Sequence, residues 1–103
     1  AGQTVAYALL EVTSGINFIL NFPTMQKMMA DAGAPVLIDS MNCAMCGSNV
    51  LPANAMIYFS SANPTDMGKA LDIFASEEMQ RWMFANMSPH GNITDAGVVI
   101  FNN

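Results

Sequence analysis

The 103-residue chain reads as a small α+β domain with short antiparallel strands and about two helices. Three observations predict this class. Short runs rich in β-branched and aromatic residues, at 4–13, 36–38, 55–60 and 98–101, are separated by turn signals. Two stretches, 24–32 and 76–87, combine helix starts with apolar residues at helical spacing. The chain is also too short to divide into parts that would each bury a core, so residues 1–103 form one domain.

In chain order, residues 4–13 carry enough Val, Thr and Tyr to favour a strand, although Ala8, Leu9 and Leu10 also allow a helix, and Ser14-Gly15 breaks the stretch. A short apolar run, 16–22, ends before Pro23. Thr24 is placed to cap a helix over 25–32, closed by Gly33 at the position after its end and by Pro35 beyond. Val36-Leu37-Ile38 is a short strand, and 55–60 a longer one. Asn63-Pro64-Thr65-Asp66-Met67-Gly68 reads as a turn, and 69–74 alternates as the return strand of a hairpin, with Leu71 and Ile73 on one face. The clearest helix is 76–87. Ser76 caps it, Glu77 and Glu78 lie in its positive first turn, and Met79, Trp82 and Met83 share one face. Ser88 to Asn92 ends that helix, Asp95-Ala96-Gly97 is a turn, and 98–101 is a last strand.

Charged residues make up only 11% of the chain, against a usual share of about 25%. A surface this poor in charge is prone to pack against something, so a protein partner or a homo-oligomer is expected. The net charge of −5, with Lys27, Lys69 and Arg81 as the cations, excludes nucleic acid as a partner. The most apolar run, 5–22, is interrupted by Glu11, Thr13, Ser14, Gly15, Asn17 and Asn21, which is too polar for a transmembrane segment. The start, Ala-Gly-Gln, resembles a processed chain and gives the expectation of a secreted or periplasmic protein.

Residues 41–50 hold the most chemistry per residue. Cys43 and Cys46, the two cysteines, stand in a Cys-x-x-Cys spacing, with Met41 and Met45 before and between them and Gly47 after. Thiolate and thioether are soft ligands that suit Cu(I) better than Mg or Ca. Gly47 would let the backbone turn so that both sulfurs point at one centre. Two other readings stand beside the metal site: a bridged or redox-active pair, and buried structural cysteines. A reactive thiol needs a neighbouring cation, and no Lys, Arg or His stands close to these two in sequence.

The pattern Cys43-x-x-Cys46-Gly47-x-x-Val50-x-Pro52-x-Asn54-Ala55, followed by Gly68-Lys69 and by Phe74-x-Ser76-Glu77-Glu78, resembles the YHS and TRASH metal-binding domains. It is also similar to the NosL family of copper-binding lipoproteins that serve nitrous oxide reductase maturation. The match covers residues 43–87, leaving 1–40 and the last dozen outside. The resemblance implies a Cys-x-x-Cys-Gly knuckle leading a β-hairpin, with a helix packed across it, over residues 41–90. YHS domains carry further cysteines where this chain has Ala75 and Met79, so a four-thiolate zinc site is not expected and Zn is less favoured than Cu(I).

The expected function is therefore a non-catalytic, soft-metal-binding accessory or metallochaperone-type domain. Its ligands would be Cys43, Cys46, Met41 and Met45, with Met79 and His90 as further candidates. Against this, Met25, Met28, Met29, Met79 and Met83 have the spacing of core residues, and His90 follows a helix end as a solvated loop histidine would. The alternatives are a structural or accessory subunit of a larger assembly that docks through its charge-poor surface, and a CxxC redox protein. No paired carboxylates, nucleophile–base pair or phosphate-binding loop is present, so enzyme activity is not expected.

Overall fold

The computed structural model describes residues 2–34, 36–43 and 46–102. The elements are β1 (Thr4–Val12), α1 (Gly15–Ile19), α2 (Phe22–Asp31), β2 (Leu37–Asn42), β3 (Ala55–Ser61), α3 (Pro64–Phe74), α4 (Glu77–Asn86) and β4 (Gly91–Ile100). The four strands form one antiparallel sheet in the order β2-β3-β1-β4. Two β-α-β units interlock, since β3 lies between β1 and β2, and β1 lies between β3 and β4. The α+β class is as expected.

Alternation along the central strands puts the core on one face. Ala55, Ile57, Phe59 and Ser61 are buried, while Met56, Tyr58 and Ser60 between them are half-buried. On β1, Ala6 and Leu10 belong to the core, and Ala8 and Val12 pack against it. Phe18, Phe22, Met25, Met29, Met67, Ala70 and Met79 join the same cluster, so all four helices cover the same face of the sheet. Met25, Met29, Met67 and Met79 are each at most 1% exposed. Burying one such side chain stabilises the fold by roughly 1.5–3 kcal/mol. Their unbranched chains fill the irregular space between sheet and helices.

Several helix ends follow the sequence. Gly33 takes φ +93° after α2, and Ala34 N–H donates to the Met29 carbonyl at 3.0 Å, closing the helix. Ser76 Oγ accepts from Met79 N–H at 3.3 Å at the start of α4, with Glu77 and Glu78 in its first turn. α2 begins at Phe22 rather than at 25, because Pro23 fits the first turn of a helix, where its missing N–H has no partner to lose.

Three expectations are corrected. Residues 69–74 are not a return strand but the second half of α3. Asn63 Oδ1 accepts from Asp66 N–H at 2.8 Å and Pro64 sits in the first turn, so 63–66 are a helix cap rather than a hairpin turn. The hairpin does not follow the Cys-x-x-Cys segment, which instead lies inside the connection between β2 and β3. Residues 95–97 are within β4. Leu9 pairs with Asp95 while Leu10 pairs with Ile93, so Thr94 is the extra residue of a bulge.

Candidate functional site

The sheet floor under α4 is built from small side chains. Ala8 on β1 pairs directly with Ala96 on β4, and Ala6 pairs with Val98. Across from them stand Phe74 of α3 and Met83 and Phe84 of α4, and the volume the alanines leave is a cavity of about 580 Å³. Phe18, Met87 and Gly91 close one end. Gly91 packs closely there: an added Cβ would come within 3.2 Å of the Val12 side chain and 3.4 Å of the Phe18 ring, which would have to shift slightly. No helix covers β4, so Phe84, Ile93 and Val98 are more than half exposed at the mouth. The size is that of a small-molecule site.

The chemistry of this cavity is apolar throughout its depth. Four polar residues line it: Gln80, Ser88 and Asn92, which are exposed, and Tyr7, whose side chain, like that of Asn92, belongs by register to the opposite face of the sheet. Gln80 is already engaged, donating from Nε2 to the Phe74 carbonyl at 2.7 Å. Among the described residues, the lining contains no carboxylate, imidazole, amine or thiol. A charged guest would lose its hydration with nothing to replace it, so the cavity suits an uncharged one.

The opposite face of the sheet carries no helix. Register pairs arrange it in three rows across the strands β2, β3, β1 and β4: Leu37, Ser60, Val5 and Val99; Asp39, Tyr58, Tyr7 and Gly97; Met41, Met56, Leu9 and Asp95. Apolar side chains dominate the outer rows. In the middle row the tyrosines lean apart. Tyr58 OH donates to Asp39 Oδ2 at 3.4 Å, and the Tyr7 ring lies over Gly97, where a Cβ would meet its hydroxyl at 2.5 Å. Partial burial, followed by the Asp39 charge and hydrogen bond, pushes the Tyr58 phenol above its usual value of 10.0.

The sequence-derived ligand set is dispersed. Cys43 and Cys46 are joined to each other by a disulfide, with Cα atoms 5.6 Å apart. Met41 lies on the uncovered face opposite Met56. Met79 is in the core, 1% exposed. His90 is half-buried before β4, where its carbonyl accepts from Thr13 and Ser14 N–H. Met45 lies outside the described residues. Among the described residues, no three His, Cys, Asp or Glu side chains gather as a metal centre would need. Gly47 serves a different purpose from the one expected. Its α-carbon is pressed against the backbone of 51–53, where a Cβ would lie 2.6 Å from the Leu51 oxygen and also strike Ala53 N.

No family model and no curated protein matches this chain. Solved structures do. A protein of Bordetella bronchiseptica, provisionally described as an antibiotic biosynthesis monooxygenase, aligns over 100% of this chain and 98% of its own at 13% identity, with a TM-score of 0.57. A dimeric ferredoxin-like protein of unknown function from Jannaschia sp. CCS1 aligns over 99% of this chain and 100% of its own, at 12% identity and a TM-score of 0.54. A second such protein, from Thermobifida fusca, aligns over 98% and 91%, at 12% identity and 0.50.

These alignments overturn the resemblance to NosL, YHS and TRASH domains. They span residues 1–40 as well as the rest, and the hairpin-then-helix order implied for 41–90 is absent because 64–74 is helical. With the fold goes the Cu(I)-binding or metallochaperone reading, and the accessory-subunit and CxxC redox alternatives gain no support from it. Met41, Cys43 and Cys46 line up in sequence through local spacing, not through a shared metal-binding architecture. Among the described residues, no helix is long and apolar enough to cross a membrane. At these identities the likeness establishes architecture alone: the chain has a ferredoxin-like α+β fold.

Proposed function

We propose that this chain is the protomer of a homodimer that holds an uncharged, apolar small molecule over Ala6, Ala8 and Ala96. The cavity carries the reading. It is of ligand size, apolar in depth, polar only at its mouth, and open beside the uncovered strand β4. The role assigned is binding, without chemistry by the protein's own groups, because among the described residues the walls carry no carboxylate, imidazole, amine or thiol. The description of the Jannaschia and Thermobifida fusca proteins as dimeric supports self-association, and the bare apolar sheet face gives it a surface. The Cys43–Cys46 bridge favours a working place outside the reducing cytosol.

The test is titration with N-phenyl-1-naphthylamine, an uncharged dye that brightens in apolar surroundings. Saturable binding of one dye per chain is expected. Ala8→Phe places a ring in the cavity and is expected to weaken dye binding about tenfold or more while the circular dichroism spectrum is kept. Equal binding by the folded variant would overturn the reading.

A further inference from the structure

All three cations of the chain, Lys27, Lys69 and Arg81, lie on the helices, on the covered side of the sheet. Lys27 is paired with Asp31 at 2.5 Å, and Arg81 with Glu77. The uncovered face has the opposite character. Glu11, Asp39 and Asp95 project from it by strand alternation, and among the described residues no cation does. The titratable groups on this face are these three carboxylates and the phenols of Tyr7 and Tyr58. No helix packs on this side to bring another.

Neutral donors satisfy part of the carboxylates' needs. Asp39 Oδ1 accepts from Ser40 N–H at 2.7 Å and Oδ2 from Tyr58 OH; Asp95 Oδ1 accepts from Ala96 N–H at 2.8 Å. Glu11 stands opposite Asn92. None of these partners balances charge.

Four strands about 4.8 Å apart, of 6, 7, 9 and 10 residues at about 3.3 Å each, present on the order of 500 Å² in projection. With the relief of the side chains, this approaches the roughly 800 Å² per partner of a stable interface. The occupant that fits such a face, apolar in its outer rows and lined by Tyr58 and Tyr7 in its middle, is a second copy of itself. That reading rests on the homodimer proposed above. It carries a consequence: closing the face brings three carboxylates from each protomer to the interface, on a surface that among the described residues offers no cation to pair them. Protonation removes that unpaired charge.

We infer that association through this face is coupled to proton uptake by Glu11, Asp39 and Asp95, so that the dimer tightens as the solution is acidified. The sign follows from the two states. In the dimer, carboxylates gathered without counter-ions favour their neutral form. Association therefore tightens with acidification and weakens as pH rises through neutrality.

The experiment is analytical ultracentrifugation of the whole chain at pH 7.5 and 5.0. It compares the protein with Glu11→Gln/Asp39→Asn/Asp95→Asn and with Leu9→Gln. The dissociation constant is expected to fall about tenfold or more on acidification. The triple variant should be as tight at pH 7.5 as the parent at pH 5.0, and Leu9→Gln should weaken association at both. A dimer of equal affinity at both pH values overturns proton coupling and leaves the dimer standing. A parent and triple variant that stay monomeric at both overturn the dimer itself. A dimer that Leu9→Gln leaves intact overturns the choice of face. Should the triple variant not fold, dilution calorimetry of the parent in buffers of different ionisation enthalpy reads proton uptake directly, and zero uptake overturns the coupling.

Discussion

The side chain of Asn54 makes two hydrogen bonds with the backbone of Val12, mimicking one more step of a strand. Val12 N–H donates to Oδ1 at 2.8 Å, and Nδ2 donates to the Val12 carbonyl at 3.0 Å. Asn54's own N–H donates to the Leu10 carbonyl at 2.8 Å, and its carbonyl accepts from Cys43 N–H at 3.0 Å. One residue thus ties the ends of β1, β2 and β3 together. Asn54→Ala removes both side-chain bonds and is expected to cost about 1–2 kcal/mol in urea unfolding. Asn54→Asp keeps the acceptor and loses the donor, so it should fall between the two.

Gly47→Ala tests the packing of the β2–β3 connection. The added methyl would strike backbone atoms of residues 51–53, which have no rotamer to escape into. A loss of about 1–3 kcal/mol is expected in the same unfolding measurement. It should appear in the oxidised protein as well as after reduction of Cys43–Cys46, since it arises from the backbone rather than from the bridge.

The Phe59 and Phe74 rings meet edge to face with centroids 5.6 Å apart, joining β3 to α3 beside the cavity. Phe59 is 6% exposed. Phe59→Leu keeps most of the volume and should cost under about 2 kcal/mol, whereas Phe59→Ala should cost about 3–5 kcal/mol. Differential scanning calorimetry separates the two.

Tyr58 ionises above the usual 10.0 through partial burial, the Asp39 charge and the Asp39 hydrogen bond. The folded state thus favours the neutral phenol. Its contribution to stability is complete below about 10, the unfolded value, and is lost as pH rises through the higher folded value. Absorbance at 295 nm is expected to show a phenol titrating late, and Asp39→Asn should bring it back toward 10. An unchanged titration in that variant would remove Asp39 as a cause.

Where one signal dominated locally, the sequence was readable. Ser76 followed by Glu77, Glu78 and a Met79/Trp82/Met83 face allowed one reading, and α4 is where it was expected. Over 69–74 two periods coexist. Leu71 and Ile73 alternate as in a strand, while Met67, Ala70, Leu71 and Phe74 recur as in a helix, and the Asn63 cap decides between them. Asn54 and Gly47 drew notice as parts of a metal-knuckle pattern, yet each is fixed by backbone contacts. The cavity had no local signature. It is made of volume that Ala6, Ala8 and Ala96 do not fill, and strand pairing between distant segments brings those residues together. Alanine in a strand is a poor strand former, and Ala6 and Ala8 on β1 were the faint trace of it.

The pairing of the first strand with the last sets a condition on how this chain folds. Thr4 pairs with Ile100 and Val12 with Gly91, so one side of the central strand has no partner until the end of β4 is made. During synthesis, β1 and β3 form with one edge open and the alanine floor half built. Contacts this distant in sequence slow the search for the native pairing. They also leave an apolar strand edge exposed to neighbouring chains while the search lasts.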